Sequence, residues 1–150
     1  MRDEAEHQAD SEAVEIGERR CRDAEGVSER FEHGLEVRRE VLGREHVDRS
    51  LEQASPFMRP MQELVTEYCW GAVWTRDGLD RRTRSLLNLG MLTALGSSQE
   101  LAAHVRGALT NGCSETEIQE ALLQAAVYCG VPAGLEAFRV AEKAIEEARG

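Results

Sequence analysis

Between Asp80 and Pro132 the chain repeats one pattern: a helix-starting residue, an apolar run at helical spacing, then a stop. Asp80 stands where a cap belongs for a helix over 81–95, and Gly96 closes it. Ser97 and Glu100 form a capping-box pattern for a helix to about Thr110, ended by Asn111-Gly112. Ser114 and Glu117 repeat that pattern and open a strongly apolar helix through Ile118, Ala121, Leu122, Ala125 and Cys129. Gly130-Val131-Pro132 breaks the chain, and Pro132 is placed to begin a last helix to about Ala148. Connections this short make successive helices packed neighbours. No stretch alternates with period two, and there is no internal repeat. The expected fold is therefore all-α, about six helices, with the helix through Ile118 and Cys129 at its centre because it is apolar on most sides.

Upstream, Phe31, Leu35, Val37, Val41 and Leu42 fit a short helix that Gly43 ends. Residues 46–54 read as a polar connector or a short helix. Ser55-Pro56 offers a cap and a first-turn proline, and Pro60 could serve the same purpose one turn on. Met61, Leu64, Val65, Tyr68, Cys69 and Ala72 then follow helical spacing, and Asp77-Gly78 makes a turn. Residues 1–30 are rich in Glu, Asp, Arg and Ala, with few large apolar side chains. Such a segment buries too little to order itself, so 1–30 is expected to be a disordered or fraying extension and 31–150 the domain.

Charge and composition exclude several classes. A net charge of −10 argues against a nucleic-acid partner, which needs cationic surface to neutralise phosphates. No run is long and apolar enough to span a membrane, and the acidic N-terminus does not read as a signal peptide, so a cytoplasmic location is expected. Cys21, Cys69, Cys113 and Cys129 show neither a C-x-x-C nor a zinc-ligand spacing and read as incidental thiols. No glycine-rich phosphate loop is present.

Two groups of residues have the makings of chemistry. Arg81, Arg82 and Arg84 crowd the first turn of a helix, where cations oppose the macrodipole unless an anion lies nearby. That anion is either a neighbouring acid or a bound carboxylate. Arg84 lies nearest the Leu86-Leu87 face and is the one expected to reach a pocket. Glu100 and His104, four apart, share a helix face beside the stripe of Leu101, Val105, Ala108 and Leu109. His104 at the margin of the core suits a general acid or base, or else a structural histidine bonded to a carbonyl. Glu100 is either its partner, favouring the charged imidazole, or only a cap. Trp70 and Trp74 fit core, interface or a substrate wall.

Three stretches then resemble a known family. They are Trp70-Gly-Ala-Val-Trp-Thr-Arg-Asp-Gly-Leu-Asp-Arg-Arg-Thr-Arg-Ser-Leu-Leu-Asn-Leu89, Glu100-Leu-Ala-Ala-His-Val-Arg-Gly-Ala-Leu-Thr-Asn-Gly112 and Glu117-Ile-Gln-Glu-Ala-Leu-Leu-Gln-Ala-Ala-Val-Tyr-Cys-Gly-Val-Pro-Ala133, with Arg38-Arg-Glu-Val-Leu-Gly43 upstream. Together they closely resemble the 4-carboxymuconolactone decarboxylases, over about residues 31–148. The resemblance implies an alkylhydroperoxidase D-like helical fold, assembled from trimers and commonly into hexamers. It also implies loss of carbon dioxide from a small dicarboxylate lactone, with no cofactor and no metal. Its peroxide-reducing relatives carry a C-x-x-C whose second cysteine lies four before a histidine. With that histidine set on His104, Ser97 and Glu100 stand where the thiols would be, so thiol peroxidase activity is discounted. On this reading His104 gives the proton with Glu100 as its partner, Arg84 and Arg81 hold a substrate carboxylate, and Trp74 lines the pocket. A thiol peroxidase and a non-catalytic helical oligomer are the rival readings.

Overall fold

A computed structural model describes residues 28–150. They form seven α-helices and one π-helical segment: α1 (Glu29–Leu42), α2 (Arg44–Glu52), α3 (Arg59–Leu64) running on into the π segment (Val65–Trp74), α4 (Arg81–Leu95), α5 (Ser98–Thr110), α6 (Glu115–Cys129) and α7 (Val131–Arg149). The expected all-α class holds, and no strand occurs among the described residues. The proposed extension lies almost wholly outside them.

Most of the local signals act as expected. Asp80 accepts from the Thr83 N–H at 2.6 Å and starts α4, and Gly96 ends it at φ 68°. Ser114 and Glu117 complete a reciprocal capping box on α6. Ser28 caps α1 through the Phe31 N–H, and Gly43, at φ 90°, separates α1 from α2. Pro60 rather than Pro56 occupies a first helical turn. Ser97 makes no capping bond: its ψ of 74° is far from the extended geometry that turns a hydroxyl onto the first turn, so the Ser97–Glu100 box does not form.

The larger core joins α4, α5, α6 and α7 through Leu89, Leu101, Val105, Ile118, Leu122 and Ala141. Each large aliphatic side chain there contributes about 1.5–3 kcal/mol relative to exposure. A smaller cluster of Val37, Val41, Trp70 and Trp74 packs α1 on the π segment. Backbones touch at this junction: a Cβ added at Gly71 would lie 2.3 Å from the Arg30 carbonyl oxygen, and one at Gly34 would lie 2.3 Å from that of Thr66. Arg38, buried, clasps the same junction by donating to Thr66 Oγ1 and Gln62 Oε1, both at 2.9 Å. Wide π turns are costly and occur mostly near functional sites. This one sets Trp70 and Trp74 against α5.

The expected central helix is not central. α6 buries Ile118, Leu122 and Ala125 but leaves Val127 and Tyr128 each 79% exposed. Leu87, Met91 and Leu95 on α4, and Phe57, Met61, Leu64 and Tyr68 around α3, are also open. Large apolar side chains on α3, α4 and α6 thus stand open to solvent. No described helix is long and apolar enough to cross a membrane.

Candidate active site

His104 sits on α5 one residue before the fully buried Val105, so the core holds its backbone while its ring reaches the π segment. The ring lies 6.0 Å from that of Trp70 and 6.1 Å from that of Trp74, at interplanar angles of 0° and 27°. The two indoles stack on each other at 4.6 Å. On the α4 side, Asn88 Nδ2 approaches His104 Nδ1 at 3.5 Å. Burial among these groups pushes the imidazole down to a pKa of about 4, and the Glu100 carboxylate opposes that shift. His104 is therefore neutral at physiological pH. Glu100 itself is exposed and released from any capping role.

The three arginines separate by their partners. Arg81 pairs with Glu40 at 2.6 Å, and Arg82 pairs with Glu117. Arg84 has no carboxylate partner among the described residues. Its Nη2 donates to the Arg76 carbonyl at 3.0 Å, and its buried Nε has no acceptor. Among the described residues no arginine is hydrogen-bonded to His104. Asn88, which approaches His104, lies four residues beyond Arg84 on the same face of α4.

Trp74 and Arg81 line one hollow of about 330 Å³ with His33, Arg76, Asp77 and Asp80. A second hollow of about 360 Å³, between α6 and α7, contains none of the candidate site residues, and His104, Glu100 and Arg84 line neither of these two hollows. The structure thus groups His104 with Trp70, Trp74 and Asn88, and Trp74 with Arg81. Sequence reasoning passed over Asn88, although an amide inside the run Leu86-Leu-Asn-Leu-Gly-Met-Leu92 was a visible signal. Among the described residues no group of three His, Cys, Asp or Glu side chains is placed to hold a metal ion.

Comparison with known proteins gives the class. The model described as "Carboxymuconolactone decarboxylase family" matches residues 59–143, and the chain belongs to that family. Over 117 residues it is 52% identical to nitrosuccinic acid decarboxylase npaB of Metarhizium robertsii, covering 78% of this chain and 82% of that protein. Over 119 residues it is 42% identical to the 4-carboxymuconolactone decarboxylase of Acinetobacter baylyi, covering 79% and 89%. A shorter match, 44% over 43 residues, is to the 4-carboxymuconolactone decarboxylase of Pseudomonas putida, covering 29% and 90%. More particularly, then, it is a carboxy-lyase, a decarboxylase of this family.

Proposed function

We propose that the chain decarboxylates 4-carboxymuconolactone to 3-oxoadipate enol-lactone without a cofactor. The observation that carries this reading is the meeting of His104 with the Trp70–Trp74 stack, whose Trp74 also lines a hollow shared with Arg81. An imidazole beside a hollow that holds a cation suits a small anionic substrate that needs one proton. The 42% identity to an enzyme named for that lactone supports it.

The substrate supplies its own electron sink. The leaving carboxylate sits on a ring carbon joined through a double bond to the lactone carbonyl. When the carbon–carbon bond breaks, carbon dioxide departs and the electron pair spreads into that carbonyl as an oxyfuran-like dienolate. A proton then bonds to the carbon next to the carbonyl, and the carbonyl re-forms. One proton is consumed and no electron leaves the molecule. Arg84, with Arg81, holds a substrate carboxylate through paired N–H donors. Trp74 packs on the ring and His104 gives the proton, a step worth about 10²–10⁴-fold. His104 is neutral before substrate arrives. Negative charge brought beside it raises its proton affinity, and Glu100 acts in the same direction.

The working form is a homo-oligomer, trimer-based and commonly hexameric, in which the domain expected over 31–150 begins with α1 at Glu29 and the residues before it are an extension. The open apolar faces of α4 and α6 support assembly, and α4 carries no acidic residue to repel a second copy of an acidic chain. Leu87 and Met91 share the Arg84–Asn88 face, so a subunit docked there reaches the edge of the site.

A second reading is favoured by the 52% identity to nitrosuccinic acid decarboxylase. Nitrosuccinate also has two carboxylates, one of them beside a nitro group that accepts the electron pair as a nitronate. The carbon left behind again needs a proton. The deciding experiment follows ultraviolet absorbance on enzymatically generated 4-carboxymuconolactone and carbon dioxide release from nitrosuccinate, each with and without thiol alkylation. Turnover of the lactone, unaffected by alkylation, supports the proposal. Turnover of nitrosuccinate alone moves the substrate to the second reading. No carbon dioxide from either leaves a non-catalytic oligomer, and loss on alkylation points to thiol chemistry.

A further inference from the structure

We infer that Asn88 is a positioning residue for His104: it holds Nδ1, so that the proton of the neutral ring sits on Nε2, the nitrogen left free for proton transfer. The inference rests on the proton-donor reading of His104. Three observations carry it. Asn88 Nδ2 is the polar group that meets the ring, at 3.5 Å from Nδ1. That is long for a hydrogen bond, but such contacts in empty sites commonly tighten when substrate closes them. The pair is also rigidly mounted. Asn88 adjoins Leu89 and His104 adjoins Val105, both fully buried in the core that joins α4 to α5. Finally, the aromatic neighbours of the ring, Trp70 and Trp74, stack with it and offer no acceptor to Nδ1.

An amide suits this task better than any other side chain. Its NH₂ donates to a bare Nδ1 and so selects the tautomer protonated on Nε2. If the ring gains a second proton on Nδ1, the amide turns and accepts through Oδ1. The same nitrogen is thus held before and after proton transfer. A carboxylate at 88 can only accept, which selects the opposite tautomer and leaves Nε2 bare. An aliphatic side chain selects neither.

The test combines a spectrum that needs no substrate with kinetics that do. Long-range ¹⁵N–¹H spectra of ligand-free protein at neutral pH should show His104 protonated on Nε2, with His104→Gln assigning the signals. In Asn88→Asp the proton should move to Nδ1. In Asn88→Leu, kcat should fall about 10–100-fold with KM within about threefold, because tautomer and aim are lost while binding is kept. Far-UV spectra and melting temperature identify a variant that fails to fold, and Asn88→Asp, of equal size, then carries the kinetic arm. Wild-type protein protonated on Nδ1, or a folded Leu or Asp variant with unchanged spectrum and turnover, overturns the inference. A chain that releases no carbon dioxide but shows the Nε2 tautomer counts against the decarboxylase reading alone.

Discussion

The imidazole of His104 lies parallel to the indole of Trp70, ring centroids 6.0 Å apart, at the seam between the π segment and α5. An aromatic wall solvates an imidazolium poorly, so the same contact that aims the ring also keeps it neutral. That makes His104 a group whose charge depends on what enters the site.

Stability should therefore fall on mild acidification. In the unfolded chain His104 titrates near 6.5, and in the folded chain near 4. Between these values the unfolded chain binds a proton that the folded chain refuses. The contribution of the neutral ring is whole above pH 6.5 and is lost as the pH falls towards 4, up to about 3 kcal/mol. His46 is also lowered, by burial and then by Arg106, Arg38 and Arg49, and acts in the same direction. Urea midpoints of wild type and His104→Gln between pH 4 and 7 isolate the part due to His104: the variant should show the shallower slope.

Binding should draw in a proton. A dicarboxylate that cannot react should be bound with uptake approaching one proton near pH 6, measured by calorimetry in buffers of different ionisation enthalpy. His104→Gln should remove most of that uptake. Equal uptake in both proteins places the protonation elsewhere.

Arg84→Ala should raise KM about 10–100-fold, the value of a charge-assisted hydrogen bond to a carboxylate, with a smaller effect on kcat. Its unused Nε and lack of an acidic partner are the reasons. Arg81→Ala should do less, since Glu40 already neutralises that side chain. Steady-state kinetics on both variants check the order, and an unchanged KM for Arg84→Ala removes it from the site.

Gly71→Ala should destabilise by about 3 kcal/mol, because the new methyl meets the Arg30 carbonyl oxygen at 2.3 Å and backbone must move. A urea midpoint near that of wild type would show that the junction of α1 and the π segment is looser than described.

Signals that act within one turn were readable from sequence. Asp80, the Ser114–Glu117 box and the stops at Gly43, Gly96 and Gly112 depend on local backbone geometry, and they appear where the chain places them. The Ser97–Glu100 box had equal sequence support and failed because the short link from Gly96 leaves Ser97 out of the extended region. The π segment was not readable, because it accompanies a contact between Gly34 and Gly71 that exists only once α1 has docked. For the site, His104 and the arginines stand out by residue type and spacing. The contact of Asn88 with His104 depends on the register between α4 and α5, which no local pattern encodes. The outer face of α6 looked like core because apolar pattern alone does not say what covers it.

The central claim is that an imidazole in an aromatic wall supplies the proton while the lactone absorbs the charge. Its most direct test is kcat on 4-carboxymuconolactone for wild type and His104→Gln at the same oligomeric state. The expected result is a loss of about 10²-fold or more with the assembly intact. Turnover in the variant within about threefold of wild type would contradict it.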